Sequence, residues 1–178
     1  MPAEENMKIY RLNREQWIPR PLPVVFDFFA RAENLGRITP PWLHFRVHTP
    51  LPIEMRAGAH IDYTIRLAGL PLRWRTRITA WEPEQRFVDV QESGPYTLWE
   101  HTHEFSSNAA GVLVADRVRY ALPFGALGRA AHALVVRATL AAIFDFRYEQ
   151  IGALLGADGG CDGRGGDESC ERGSWQVR

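Results

Sequence analysis

The feature that most constrains the fold is a change in hydrophobic period near residue 124. From about residue 124 to residue 155, apolar residues recur at spacings of three and four, which is typical of one face of an α-helix. A helix of about 30 residues is long for a globular domain, where the mean is about 11–12. We therefore expect this helix to lie along a large apolar surface. The predicted apolar stripe consists of Val136, Leu140, Ile143, Phe144, Arg147, Ile151 and Leu154.

The segments before this helix alternate apolar and polar residues with a period of two, which indicates half-buried β-strands. Such segments lie at residues 8–18, 44–49, 60–67, 72–81, 86–92, 96–106 and 112–122. Between the first two, prolines precede a run with helical spacing, which predicts two short helices. The order predicts an α+β fold: an antiparallel sheet of about 6–7 strands, two short helices after strand 1 and one long C-terminal helix against one sheet face.

Length and composition indicate one domain, residues 7–155, in a chain of 178 residues. Residues 156–178 are rich in Gly, Asp and Arg and include Cys161 and Cys170, so we predict a disordered tail. The 21 basic and 21 acidic side chains give no net charge, which argues against nucleic-acid binding. The N-terminus lacks the apolar core of a signal peptide, and no uninterrupted apolar run approaches membrane-span length. We predict a cytoplasmic protein without stable membrane insertion.

The segment YTLWEHTHEF places two histidines on one face of a predicted strand. Because alternate strand residues share a face, His101 and His103 point the same way as Trp99. The same parity places further polar residues inward on the neighbouring strands, and Arg147 lies on the apolar stripe of the helix. Buried charges are costly unless paired, so we expect these groups to pair with one another. The inward polar set is Asp89, Gln91, His101, His103, Asp116 and Arg147.

Four roles are open to this polar set. It can be an internal network that fixes strand register and helix position, or it can orient the polar end of an apolar ligand. It can also supply a His–Asp general base. The fourth role is a metal site, because two histidines at i and i+2 can chelate one ion, and Asp116 would complete a facial triad. Jelly-roll proteins that use such a pair add a Glu four or five residues later, where this chain has Ser107 and Asn108, so we predict no metal ion and no cofactor.

Three segments together carry a family resemblance: FVDVQESGPYTLWEHTHEF, DRVRYALPFG and IFDFRYEQI. With the order of elements, they resemble the SRPBCC superfamily, the START-like or helix-grip fold shared with plant pollen allergens and polyketide cyclase/dehydrases. The chain looks most like bacterial ligand-binding SRPBCC domains that occur alone or joined to an epimerase-like domain. The resemblance implies a strongly curved antiparallel sheet that grips the long helix, with an apolar cavity between them. It does not fix an activity, because the same fold hosts carriers and enzymes.

From the residues and the resemblance, we expect binding or transport of a small hydrophobic ligand, such as a lipid, isoprenoid or polyketide-like molecule. One alternative is a cyclase or dehydratase whose catalytic candidates are His101, His103, Asp116 and Asp89. Another is a non-catalytic interaction module with a filled core. The resemblance also implies functional association with an epimerase-like protein. The predicted ligand-binding residues are Tyr63, Trp74, Phe87, Gln91, Trp99, His101, His103, Tyr120, Leu140, Phe144 and Arg147.

Overall fold

The structure is a computed structural model that describes residues 7–67 and 69–156. The described residues contain seven strands: β1 Tyr10–Ile18, β2 Arg46–Val47, β3 His60–Leu67, β4 Leu70–Glu82, β5 Arg86–Ser93, β6 Leu98–Asn108 and β7 Gly111–Ala121. All pair antiparallel in one sheet with the order β1-β7-β6-β5-β4-β3-β2. Strands β2 to β7 thus form a meander, and β1 adds to its far edge. The predicted tail, with Cys161 and Cys170, lies outside the described residues except for Gly156.

The helices lie where the sequence predicts them. Helix α1, Leu22–Ala30, follows β1 and is followed by 3₁₀ turns at Ala32–Arg37 and Pro41–Leu43. A continuous C-terminal helix begins with α2, Gly125–Ala131, and ends with α3, Arg137–Leu155. Between them, His132–Val136 form a π-helical turn. Such wide turns inside α-helices are often found at functional sites.

Register shifts bend the sheet near its middle. In the pairing of β4 with β5, the register shifts between Arg75 and Thr76 and again between Ile78 and Ala80. An extra residue on one strand bends that strand and increases its twist, so the sheet curls around the helix instead of lying flat. The predicted helix-grip fold is confirmed, and the two extra residues, Glu92 on β5 and Thr79 on β4, are a local cause of its curvature.

The concave face of the sheet carries two apolar clusters. The first joins α1 to the ends of β5, β6, β7 and α3, and it includes Phe26, Phe29, Phe87, Phe105 and Ile151. The second joins the N-terminal part of α3 to the middle of the sheet, and it includes Trp74, Trp99, Tyr120, Leu140 and Phe144. Each fully buried side chain of this kind contributes about 1.5–3 kcal/mol through the hydrophobic effect. These two clusters fix the helix against the sheet.

Polar contacts hold the C-terminal end of α3 against β1. The guanidinium of Arg14 donates to Asp145 at 2.7 Å, and Gln16 Nε2 donates to the backbone oxygen of Tyr148 at 3.0 Å. Arg20 Nε donates to the backbone oxygen of Leu155 at 2.8 Å. The helix ends at Gly156, whose φ of 71° lies in the left-handed region that favours glycine. These contacts position α3 lengthwise along the sheet.

The long helix is only partly covered. By length and composition, Gly125–Leu155 is apolar enough to cross a membrane, and 22% of its most apolar window is buried. Leu140, Phe144 and Ile151 pack in the core, whereas Leu127 and Leu134 are exposed. Leu140, Phe144 and Ile151 thus attach this helix to the core of the fold. The expectations of a cytoplasmic location and of no stable membrane insertion stay predictions.

Candidate functional site

Four polar side chains from three adjacent strands meet on the concave face. In the register of β5 with β6, Asp89 lies opposite His101, and in the register of β6 with β7, His103 lies opposite Asp116. Alternation along each strand turns all four toward the same face, as the parity argument predicts. We call Asp89, His101, His103 and Asp116 the His–Asp cluster. It lies between the two apolar clusters.

Asp116 holds both histidines from one side. Its Oδ1 lies 3.1 Å from Nε2 of His101, which forms a hydrogen bond, and 2.7 Å from Nδ1 of His103. The second contact is short, but it is not aligned as a hydrogen bond. The other carboxylate oxygen, Oδ2, lies 3.8 Å from Nε of Arg147 on α3. One buried carboxylate therefore links strand β6 to the long helix.

Asp89 faces the opposite ring nitrogens of the same two histidines. Its Oδ2 lies 3.5 Å from Nδ1 of His101 and 3.5 Å from Nε2 of His103. Both separations are longer than the about 2.7–3.2 Å of a good N–H···O hydrogen bond. The two histidines thus bridge two carboxylates, with close contact on the Asp116 side and a wider gap on the Asp89 side.

Aromatic rings fix the orientation of the two imidazoles. The ring of Phe87 stacks on His103 at 4.2 Å, and the edge of Phe144 meets His101 at 5.6 Å. The two imidazoles lie 3.9 Å apart, and the guanidinium of Arg147 lies over the ring of Phe29. The histidines are 5% and 3% exposed. These ring contacts leave the imidazoles little freedom to rotate.

The environment drives the pKa values of the two histidines apart. Burial lowers the pKa of His101, and the charge of His103 adds to that effect. Burial also opposes the charged form of His103, but the carboxylates of Asp116 and Asp89 outweigh it and raise the pKa of His103. Burial alone would raise the pKa of Asp116, yet Arg147 and the histidines hold it well below its usual range. An additional proton on the pair therefore favours His103 over His101.

A cavity of about 220 Å³ lies between the sheet and the helices, beside the His–Asp cluster. His101, His103 and Asp89 line it, while most of its wall is apolar. Leu67 and Val135 also line the cavity and are 37% and 57% exposed, so the cavity reaches the surface beside them. Among the residues described, the cavity therefore has mostly apolar walls and a polar floor formed by Asp89, His101 and His103.

Most of the predicted ligand-binding residues line this cavity. They are Tyr63, Trp74, Phe87, Trp99, His101, His103, Leu140, Phe144 and Arg147. Burial raises the pKa of Tyr63, and of its neighbour Tyr96, well above the usual range, so both phenols stay neutral. Asp89, a catalytic candidate, lines the cavity as well, whereas Asp116 lies behind the histidines.

Two predicted ligand-binding residues, Gln91 and Tyr120, are not among the residues that line this cavity, and their role in binding stays a prediction. Gln91 bonds to both backbone groups of Tyr96, donating to its oxygen at 2.7 Å and accepting from its N–H at 3.3 Å, which folds the β5–β6 connection. The hydroxyl of Tyr120 lies 2.9 Å from Nε2 of His132, which stacks on Tyr10. Strand parity gives the face of a residue but not its position along that face.

The sequence reasoning also missed lining residues outside the sheet. A large part of the wall comes from α1, the 3₁₀ turns, the π-helical turn and the start of α3. These elements contribute Phe28, Phe29, Leu35, Ile38, Leu43, Val136 and Ile143. The apolar stripe predicted for the long helix already contained Val136 and Ile143 and could have indicated both. The short helices carry no such signal, because their apolar residues serve the core and the cavity alike.

Comparison with known proteins supports one family. A sequence model of the family described as "Polyketide cyclase / dehydrase and lipid transport" matches residues 18–156. No curated protein matches the sequence.

Solved structures share the architecture at low identity. A protein from Thermus thermophilus is 20% identical with a TM-score of 0.58, over 81% of this chain and 98% of that chain. Ginseng major latex-like protein 151 from Panax ginseng is 13% identical with a TM-score of 0.60, over 83% and 97%. A protein from Chromobacterium violaceum is 13% identical with a TM-score of 0.63, over 82% and 96%. At these identities the likeness establishes the fold alone.

Proposed function

Because the chain belongs to the polyketide cyclase / dehydrase and lipid transport family, we propose that it binds a small hydrophobic ligand in the cavity between sheet and helix. The observation that carries the proposal is the cavity itself, an apolar chamber with Asp89, His101 and His103 on its wall. Binding pockets commonly combine apolar walls with a few placed polar groups that orient the ligand. This cavity also argues against an interaction module whose core is completely filled.

The size of the cavity restricts the ligand. Pockets for drug-sized molecules usually measure about 300–1,000 Å³, so the volume of about 220 Å³ admits a smaller molecule in this conformation. The Asp89 carboxylate offers an acceptor, with its side chain 18% exposed. A compact apolar molecule with one hydroxyl group suits both features. Among the predicted classes, this favours a short isoprenoid or a one- or two-ring polyketide-like molecule over a long-chain lipid.

Binding can be tested with 1-naphthol, which has two apolar rings and one hydroxyl group. Trp74 and Trp99 line the cavity, so we expect a bound naphthol to quench tryptophan fluorescence saturably. Native mass spectrometry of the protein as purified adds a search for a bound compound. The blocking variant is Val136→Trp, which places an indole in the cavity wall.

The matched control is Leu134→Trp, since Leu134 is 80% exposed on the same helix. We expect wild type and the Leu134→Trp variant to bind 1-naphthol equally and the Val136→Trp variant to lose binding. If 1-naphthol and co-purified compounds bind none of the three proteins, or bind all three alike, the cavity is not a ligand site.

A cyclase or dehydratase activity is the second candidate, because the pKa values of the two histidines are driven apart. Neutral His101 can accept a proton from an acidic C–H or hydroxyl group, and charged His103 can donate one. His101→Ala and His103→Ala should then abolish turnover of a bound candidate while its affinity stays unchanged. If both variants unfold the protein, the histidines serve the structural network. Functional association with an epimerase-like protein stays a prediction.

A further inference from the structure

We propose that Asp89, His101 and His103 form a binding site for a divalent first-row transition metal ion at the floor of the cavity. The candidate donor atoms of these three residues all lie within 4.8 Å of one another. The inference concerns the empty protein and holds independently of ligand binding. It reverses the expectation of no metal drawn from the sequence.

The distances match those that an ion requires. Asp89 Oδ2 is 3.5 Å from Nδ1 of His101 and 3.5 Å from Nε2 of His103. With a third separation of at most 4.8 Å, a point equidistant from the three donor atoms lies about 2.4 Å or less from each. Zn–N and Zn–O bonds measure about 2.0–2.2 Å. Small side-chain movements that bring the three donor atoms slightly closer to this point would therefore give three bonds of normal length.

The position of Asp116 supplies the strongest chemical argument. Metal-binding histidines usually donate their second N–H to a carboxylate, which fixes the tautomer and orients the ring. Here Oδ1 of Asp116 lies against Nε2 of His101 and Nδ1 of His103, the two nitrogens that face away from Asp89. Asp116 thus takes one nitrogen of each ring, by a hydrogen bond at His101 and by a 2.7 Å contact at His103, and the other two nitrogens face Asp89. Arg147 balances the charge of Asp116 from the helix side.

The ligand set indicates the class of metal. Imidazole ligands suit Zn²⁺, Fe²⁺, Cu²⁺ and Ni²⁺, whereas Mg²⁺ and Ca²⁺ prefer all-oxygen sites. Two histidines and one carboxylate leave at least one coordination position open, as in catalytic zinc sites and facial-triad iron sites. Because Asp89, His101 and His103 all line the cavity, this open position faces the chamber where the ligand would bind.

Titration with Co²⁺ tests the site, since Co²⁺ gives visible absorption bands in four- or five-coordinate sites. Two other groups of donors must first be removed. The tail contains Cys161 and Cys170, and His60 lies 3.0 Å from Glu92 on the surface. The full-length background is therefore Cys161→Ser, Cys170→Ser and His60→Ala. We expect one Co²⁺ per chain, displaced by Zn²⁺ but not by Mg²⁺.

Three matched Asp→Asn variants in this background separate the roles. Asp89→Asn removes a ligand and should weaken Co²⁺ binding most, while Asp116→Asn should weaken it about 10- to 100-fold. Asp62→Asn changes an exposed Asp paired with Arg75 and should leave the affinity unchanged. Circular dichroism checks that each variant is folded.

A measurement on the unmodified site removes any dependence on variant folding. Paramagnetic Co²⁺ should shift or broaden the NMR signals of the His101 and His103 rings more strongly than those of His132. The proposal is overturned if the background protein binds no stoichiometric Co²⁺, if Asp89→Asn binds it as well as Asp62→Asn does, or if the His132 signals are affected first.

Discussion

Replacing Asp116 by Asn should destabilise the protein far more than the same change at Asp62. Asp116 is buried and contacts His101, His103 and Arg147, whereas Asp62 is an exposed partner of Arg75. The two substitutions remove the same charge and keep nearly the same shape. Their comparison therefore isolates the effect of burial.

Geometry alone would rank the two sites in the opposite order. Asp62 accepts two aligned hydrogen bonds from Arg75, at 2.7 and 2.9 Å, while Asp116 has one aligned hydrogen bond at 3.1 Å. Exposed ion pairs nevertheless contribute only about 0–1 kcal/mol, because water solvates the separated charges. Removing one member of a buried pair costs about 3–5 kcal/mol, because the remaining charge has lost both its partner and its water. Asp116→Asn leaves the guanidinium of Arg147 in this state, without the buried carboxylate that lies 3.8 Å from its Nε.

Urea denaturation at pH 7 with EDTA, followed by tryptophan fluorescence, measures the difference. We expect Asp116→Asn to lower the free energy of unfolding by about 3–5 kcal/mol, which corresponds to about 6–20 °C in Tm for a chain of this size. Asp62→Asn should lower it by about 1 kcal/mol or less. Equal losses at the two sites, or a larger loss at Asp62, would refute the reasoning that desolvation governs the His–Asp cluster.

Two further predictions concern the long helix and the histidine pair. Leu140→Ala should lower the free energy of unfolding by about 2–5 kcal/mol, because Leu140 is 4% exposed. Leu134→Ala, at a position that is 80% exposed on the same helix, should change it by no more than about 0.5 kcal/mol. Thermal unfolding of both variants measures the difference, and equal losses of stability would contradict the assignment of Leu140 to the core. In EDTA, the histidine pair should stabilise the protein most near the ordinary histidine pKa of 6.5. Because the pKa of His103 is raised, its contribution to the free energy of unfolding is lost as the pH rises above 6.5. Because the pKa of His101 is lowered, its contribution is lost as the pH falls below 6.5. His103→Gln should abolish the alkaline loss in urea titrations from pH 5 to 9, and an unchanged alkaline loss would contradict the assignment.

The sequence reveals the elements of the fold because each has its own period. The alternation in residues 60–67 and the three-and-four spacing after residue 124 correspond to β3 and to the long helix. Parity also places His101, His103, Asp89 and Asp116 on one face, as the structure has them. Side-chain direction follows directly from strand geometry, so it needs no knowledge of tertiary contacts.

Parity does not give the position of a residue along the face it shares. Gln91 and Tyr120 share the inward face with the histidines, but one binds the backbone of Tyr96 and the other contacts His132. The helices that cover each part of the sheet decide which inward residues meet the cavity. For the same reason, the wall contributed by Phe28, Phe29 and the 3₁₀ turns has no signal in any strand pattern.

The sequence by itself determined an α+β chain with one long helix, an antiparallel sheet and a set of inward polar residues, because local periodicity encodes which face of each element is apolar. The tertiary structure decided which polar atoms meet. The pairing register of β5, β6 and β7 sets Asp116 against one pair of ring nitrogens and Asp89 across a 3.5 Å gap from the other pair. A motif search along one strand finds the two histidines, but the third ligand comes from a neighbouring strand, and only strand pairing brings it there.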